Sequence, residues 1–253
     1  MFAHERYNAI SELVAKQERV TVGSLQEALG ISSATLRRDL AEMEKKGTIM
    51  RVHGGVIHPQ SIRGEASFLR KSQESVEAKR AIAQAASDLV PEGASVFLDS
   101  GTTCLEIGRR LLARGGLTLI TNSVPLLHEA YIAGSPIVST GGELRTLSGA
   151  LTGAVALGWL GQLQADWAFL GASGVDAQAA ATTELGEASI KRQFLCNARR
   201  RVLAADGTKW KHTAPVRFAA WRDFEYWLTS DTLPAAEARG VKKAGVKIVR
   251  CKH

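Results

Sequence analysis

From residue 76 onward the chain alternates helical stretches with short runs rich in Val, Ile and Leu: "ASVFLD", "LTLIT", "PIVST", "DWAFLGAS", "RVLAAD", "YWLTS" and "VKIVR". Strand-length runs mostly separated by helical periodicity predict an α/β domain over 76–253 with a largely parallel sheet. The segments that follow the strands are as telling as the strands. "DSGTT", "TNS", "STGG", "GASG", "ADGTK" and "TSD" are small and rich in glycine and hydroxyl groups. Open α/β sheets bind ligands in the crevice beyond the carboxyl ends of their strands, so one mouth collects all of these segments.

Within that mouth "DSGTT", residues 99–103, carries the most chemistry. Gly101 permits close backbone approach, and Ser100, Thr102 and Thr103 supply hydroxyl groups. The loop runs into a helix N-terminus, whose free N–H groups favour an anion. This is the pattern of a phosphate cradle, and equally of a well-capped turn between a strand and a helix. Asn122 of "TNS" belongs to the same candidate site. Gly141 and Gly142 join it more weakly, since glycine is also the ordinary residue of a tight turn.

Residues 1–58 have a different organisation. Tyr7, Ile10, Leu13 and Val14 mark a first helix, and Leu25, Ala28 and Leu29 a second, which Gly30 closes at a left-handed C-cap. After a tight turn Ser32 is placed to cap a third helix, with Ile31 packing on Leu36 as a hydrophobic staple. Leu36, Leu40 and Met43 form its apolar stripe, which leaves Ser33, Thr35, Arg37 and Arg38 to flank or face away from the core. Two helices, a turn and a capped third helix are helix-turn-helix geometry. Residues 49–52, the turn "HGG" and residues 56–57 then predict a short hairpin, a wing carrying Arg51 and His53 toward a phosphate backbone. Arg is shaped to grip phosphates and to bond guanine O6 and N7 in pairs, so the expected partner is double-stranded DNA. Arg38 has a simpler explanation in a pair with Glu42 one turn on, whereas Arg37 has Ala41 there.

Composition adds bounds rather than identity. The 253 residues are 45% hydrophobic and 23% charged, ordinary for a globular protein with a substantial core. The net charge of +7 favours polyanions, yet residues 1–58 hold eight Lys/Arg against seven Asp/Glu. Placement, not total charge, makes the case there. Much of the excess lies near the end, in Arg239, Lys242, Lys243, Lys247, Arg250 and Lys252, read as a solvated helix and strand end. Three widely spaced cysteines argue against a disulfide framework and a zinc site, so no metal or cofactor is expected. The N-terminus lacks the apolar core of a signal peptide and no run is long enough to span a bilayer, which predicts a cytoplasmic protein with no membrane partner. Residues 58–75 show no period and read as a linker, giving domains at 1–58 and 76–253 separated by 59–75.

"TVGSLQEALGISSATLRRDLAEMEKKGTIMRVHGGVI" resembles the winged helix of the DeoR-type bacterial transcription regulators. The second half resembles that family's effector domain through "EAKRAIAQAASDLV", "FLDSGTT", "LITNS", "STGGELR", "AFLGASGVD", "TTELGEASIKR" and "LAADGTK". The resemblance implies a sensor domain similar in fold to ribose-5-phosphate isomerase and the CoA-transferase group, binding a phosphorylated sugar or related metabolite. Lys191 and Lys209 are then candidate cations for phosphate, although Lys191 is also spaced to pair with Glu187. Asp99 and Asp206 are placed either to bond sugar hydroxyls or to cap the turns that follow them.

These readings combine into a ligand-responsive transcription regulator, a repressor of a carbohydrate operon, acting as a homo-oligomer of two or four chains. The rival is an enzyme. Asp99, Asp206, Glu184, Glu187 and Lys191 around one pocket are groups able to move protons, so an isomerase-like enzyme with an appended DNA-binding domain is the alternative. The winged helix decides for the regulator.

Overall fold

A computed structural model of the chain describes residues 2–17, 19–52, 54–57, 68–230 and 235–252. It divides into two compact units, residues 1–74 and 75–253.

The first unit runs α1 (Ala3–Lys16), β1 (Val20–Thr21), α2 (Val22–Leu29), α3 (Ser33–Lys45), β2 (Met50–Val52), β3 (Gly55–Ile57) and α4 (Phe68–Gln73). One face of each of the first three helices closes on a common core of Ile10, Val14, Leu25, Leu36, Leu40 and Met43, which Val20, Ile49 and Val56 complete from the sheet side. The caps are those the sequence predicts. Gly30 is left-handed at φ 60°, and the Ser32 hydroxyl accepts from the Thr35 N–H at 3.2 Å. Ile31 packs on the same core. The wing is a three-stranded sheet rather than a hairpin alone, because β1 adds antiparallel to β3. Gly55 is required at that seam, since a Cβ there would stand 2.5 Å from the Val20 carbonyl oxygen. Part of the expected linker is also ordered differently, because residues 68–73 form α4, which packs on α1. Its six residues are too few for a helical period to stand out in sequence.

The second unit runs α5 (Val76–Leu89), β4 (Ser95–Leu98), α6 (Thr102–Arg114), β5 (Thr118–Thr121), α7 (Val124–Ala133), β6 (Val138–Ser139), β7 (Glu143–Arg145), β8 (Ala150–Thr152) and α8 (Gly153–Leu160). It continues through β9 (Ala165–Leu170), β10 (Gly174–Val175), β11 (Ala179–Thr182), α9 (Leu185–Asn197), β12 (Ala198–Ala204), β13 (Val216–Ala220), β14 (Tyr226–Ser230), α10 (Ala235–Lys243) and β15 (Lys247–Cys251). Seven strands make one sheet in the order β15-β14-β12-β9-β4-β5-β6, and every neighbouring pair is parallel. These are the seven strands predicted from sequence.

The chain enters the sheet at β4, moves one way through β5 and β6, and then fills the other side from β9 to β15. Right-handed crossovers in opposite directions place the connecting helices on opposite faces. The order therefore reverses between β4 and β9, the position at which open α/β sheets present a ligand crevice. Among the described residues no helix is long and apolar enough to cross a membrane.

Candidate functional sites

In the first unit α3 presents its polar face to solvent. Arg37 and Arg38 are exposed, Leu36 and Leu40 are buried, and neither arginine has an ion-pair partner among the described residues. Glu42 pairs instead with Lys46 at 3.5 Å, so the simple explanation for Arg38 is removed. Ser33 is exposed, and Thr35 is half-buried with its hydroxyl 2.9 Å from that of Ser32. Arg51 extends its exposed side chain from β2 while its N–H donates to Glu44 at 3.1 Å, tying wing to helix. His53 lies outside the described residues.

Sequence reasoning missed Asp39. It is 4% exposed and accepts from Arg6 through both oxygens, at 2.6 Å from Nε and 2.9 Å from Nη2. This two-point clasp fixes α3 against α1 and so aims the Arg37–Arg38 face. Burial of the acid between two arginines and a leucine gave no sequence signal that separated it from a surface charge.

In the second unit the loops after β4, β5, β6, β9 and β12 share one edge of the sheet. Asp99 and Ser100 are buried at the end of β4, Gly101 caps α6, and Thr102 and Thr103 begin it. Asp99 does not cap the turn that follows. Its Oδ2 accepts from the Gly171 N–H at 3.0 Å, across the β4/β9 crevice, and from the Lys191 ammonium. Lys191 also donates to the Gly171 carbonyl at 3.1 Å and lies 5.3 Å from the Phe218 ring centroid. Its expected pair with Glu187 is not formed, because the α9 side chain turns inward to the Asp99 carboxylate. Burial acts to lower the Lys191 pKa, but the Asp99 and Glu187 carboxylates outweigh it and hold the ammonium above the ordinary lysine value. Lys191 is thus a charged strut behind the cradle loop, rather than a free cation at the mouth.

Other neighbours complete this floor. Glu187 accepts from Arg145 at 3.1 Å and from the Thr182 hydroxyl at 3.3 Å. The Cys104 thiol donates to the Phe169 carbonyl at 3.4 Å, and burial, reinforced by Asp99, pushes its pKa up, so it stays protonated. Asn122 is fully buried and donates to the Leu151 carbonyl at 3.3 Å, while its Oδ1 has no hydrogen-bond partner among the described residues. Buried acceptors of this kind are as a rule satisfied, by the protein, by water or by a bound group.

The remaining candidates are placed by backbone needs. Asp206 caps the short turn Gly207–Lys209, accepting from the Thr208 N–H at 2.9 Å and from its hydroxyl, with Lys209 half-buried on the same turn. Gly142 has φ 108° and its missing Cβ would sit 2.3 Å from the Thr152 carbonyl oxygen. Gly141, at φ 62°, precedes it. That pair is explained by the turn. Gly101 differs, since its φ of −67° suits any residue and a Cβ would stay 3.6 Å or more from its neighbours. Gly171, Arg145 and Thr182 were not singled out from sequence, although "GASG", "STGGELR" and "TTELGEASIKR" contain them.

The DeoR-like helix-turn-helix domain matches residues 6–61 and the DeoR C-terminal sensor domain matches residues 74–231. The chain belongs to the DeoR family. The HTH-type transcriptional regulator GlpR of Haloferax volcanii is 36% identical over 98% of both chains. The glycerol-3-phosphate regulon repressor of Haemophilus influenzae is 32% identical, over 97% of this chain and 96% of the relative. A putative aga operon transcriptional repressor of Escherichia coli O157:H7 is 30% identical, over 97% and 93%. Ribose-5-phosphate isomerase A of Methanocaldococcus jannaschii is 21% identical over 54% of this chain and 55% of that chain, with a TM-score of 0.40. This DeoR-family chain is therefore a DNA-binding transcription regulator with a sensor domain. Among the described residues no cluster of His, Cys, Asp and Glu is placed to hold a metal.

Proposed function

We propose that this DeoR-family chain represses a carbohydrate operon in the cytoplasm as a homo-oligomer, and that a phosphorylated sugar or polyol bound at the strand ends of its sensor domain controls its grip on DNA. Arg37 and Arg38 read bases and phosphates from α3, with Ser33 and Thr35 beside them and Arg51 on the wing. The effector's phosphate sits on "DSGTT", against the N–H groups at the start of α6 and the Thr102 and Thr103 hydroxyls. Its hydroxyls meet Asn122 and the polar floor, with Lys209 of the β12 loop as a further cation.

The observation that carries this reading is Gly101. Neither its backbone angles nor its packing requires glycine, yet it stands at the point where strand order reverses, so the space it keeps open serves something outside the chain. The family context supports a phosphorylated effector, since relatives are named as glycerol-3-phosphate regulon repressors.

The test is fluorescence anisotropy of the full chain on operator DNA selected from its own promoter region, titrated with glycerol 3-phosphate, hexose phosphates and the matching unphosphorylated polyols. A phosphorylated compound is expected to change operator affinity about 5- to 150-fold, the range of ordinary allosteric coupling. Equal responses to phosphorylated and unphosphorylated compounds would refute the phosphate cradle.

A further inference from the structure

Helix α8, "GAVALGWL", has no charged residue, and it lies within the longest uncharged run of the chain, residues 146–165. A helix that is apolar all round belongs inside a protein. Here only one side is inside. Ala156 and Leu160 are buried, while Ala154, Val155, Gly158 and Trp159 share a face open to solvent, with Val155 63% and Trp159 58% exposed. Leu144 of β7, which packs beside α8, is 52% exposed as well.

We infer that this face is an interface with a second copy of the same chain, in which Trp159 of each copy fills the hollow above Gly158 of the other. Two observations select that occupant. The first is shape. Gly158 lies in the helix interior, where glycine costs about 1 kcal/mol relative to alanine, and apart from its chain neighbours and its own helix backbone no atom of the described residues lies within 4 Å of its missing Cβ. Nothing in its own fold requires the glycine, and the large flat indole stands at the next position, so hollow and knob lie on one face. A face that carries both is self-complementary, as a two-fold contact demands. The second is charge. Two copies of a chain with net charge +7 repel, so contact between them is favoured where neither copy brings a charge to the surface. Residues 146–165 bring none. Buried Trp is also the side chain most often found to anchor an interface.

The inference rests on the oligomeric part of the proposed function but not on its effector, and its test reads mass alone. Light scattering after size exclusion should give wild type a multiple of 27.1 kDa. Trp159→Asp and Gly158→Glu should each raise the dissociation constant about 30-fold or more, the scale of an interface hot spot, and so halve the mass at micromolar concentration. Gly158→Glu carries a second readout, because it removes a helix-interior glycine at an open position and should leave circular dichroism unchanged or slightly more helical. Val155→Cys, made with Cys196→Ser to remove the exposed native thiol, should form a cross-linked pair on oxidation. Tyr131→Asp, at an 84% exposed position on α7, should leave the mass unchanged. A monomeric wild type, or folded Trp159 and Gly158 variants of wild-type mass, would overturn the proposal.

Discussion

Asp99 and Lys191, ninety-two residues apart in the sequence, form a buried ion pair at the crevice between β4 and β9, and both also bond the backbone of Gly171. One pair thus joins the cradle loop, the end of the neighbouring strand and helix α9. Removing one partner from such a pair leaves an uncompensated buried charge, which costs about 3–5 kcal/mol, whereas removing both leaves none. Lys191→Met should therefore lower the urea midpoint of the sensor unit sharply, and Asp99→Asn with Lys191→Met should recover part of the loss. Because the folded Lys191 pKa is raised, its contribution is full below the ordinary value of 10.5 and disappears only as pH rises through the folded value. Stability of wild type should then show no Lys191 titration near neutral pH.

Asp166 makes a second tie between β4 and β9, at the opposite end of those strands. It accepts from the Ser95 N–H at 2.9 Å and from the Ser95 hydroxyl at 2.7 Å, bonds that hold its carboxyl below the ordinary carboxylate value. A depressed carboxyl stabilises the fold above its unfolded value of 3.8 and loses that contribution as pH falls through its lower folded value. Asp166→Asn should thus be less stable than wild type at neutral pH, with the difference closing below pH 3.8. A difference in unfolding midpoint that stays constant across this window would show that the ionised form is not what stabilises the strands.

On α3 the two arginines and the buried acid should separate cleanly. Arg37→Ala and Arg38→Ala are expected to cost about 1–3 kcal/mol of operator affinity wherever the side chain reads a base, with melting temperature unchanged because both are exposed. Asp39→Asn should weaken operator binding too, but together with a lower melting temperature, because it loosens the clasp to Arg6 that orients α3. Anisotropy at fixed salt and differential scanning fluorimetry distinguish the two outcomes.

The legible parts of the sequence were those with a strong local period or a local cap. All seven parallel strands stood out as short runs rich in Val, Ile and Leu, which in the central strands β4 and β9 are mostly buried, and Ser32 and Gly30 announced the recognition turn through capping chemistry. The short antiparallel strands of the second unit did not. "AAAT" of β11 has neither β-branched enrichment nor alternation, and it becomes a strand only by pairing with β10 and β13. The candidate site followed the same division. Its loops were found from the strand ends, whereas the Asp99–Lys191 strut and the Arg6–Asp39 clasp depend on residues brought together by the fold. At Lys191 the local i, i+4 rule pointed to Glu187, and burial beside Asp99 overrode it.

Gly101 offers the sharpest separation of sensing from DNA binding. A Cβ at this position meets only ordinary contacts, 3.6 Å from Asp99 Oδ2 and 3.7 Å from the Gly171 Cα, so Gly101→Ala should fold normally and lose at most part of the effector response. Gly101→Asp adds bulk and a second carboxylate beside Asp99, in the space where the effector's phosphate is expected. Residues 1–74 form a separate compact unit with its own core, so operator affinity without effector should stay at the wild-type value while the metabolite no longer shifts it. Arg37→Ala should do the reverse, binding the metabolite normally and DNA weakly. Thermal shift reads the first half of this comparison, since a ligand at 100 times its dissociation constant stabilises its site by about 2.7 kcal/mol. A full wild-type shift in Gly101→Asp would place the phosphate elsewhere and leave "DSGTT" as a turn that serves only the start of α6.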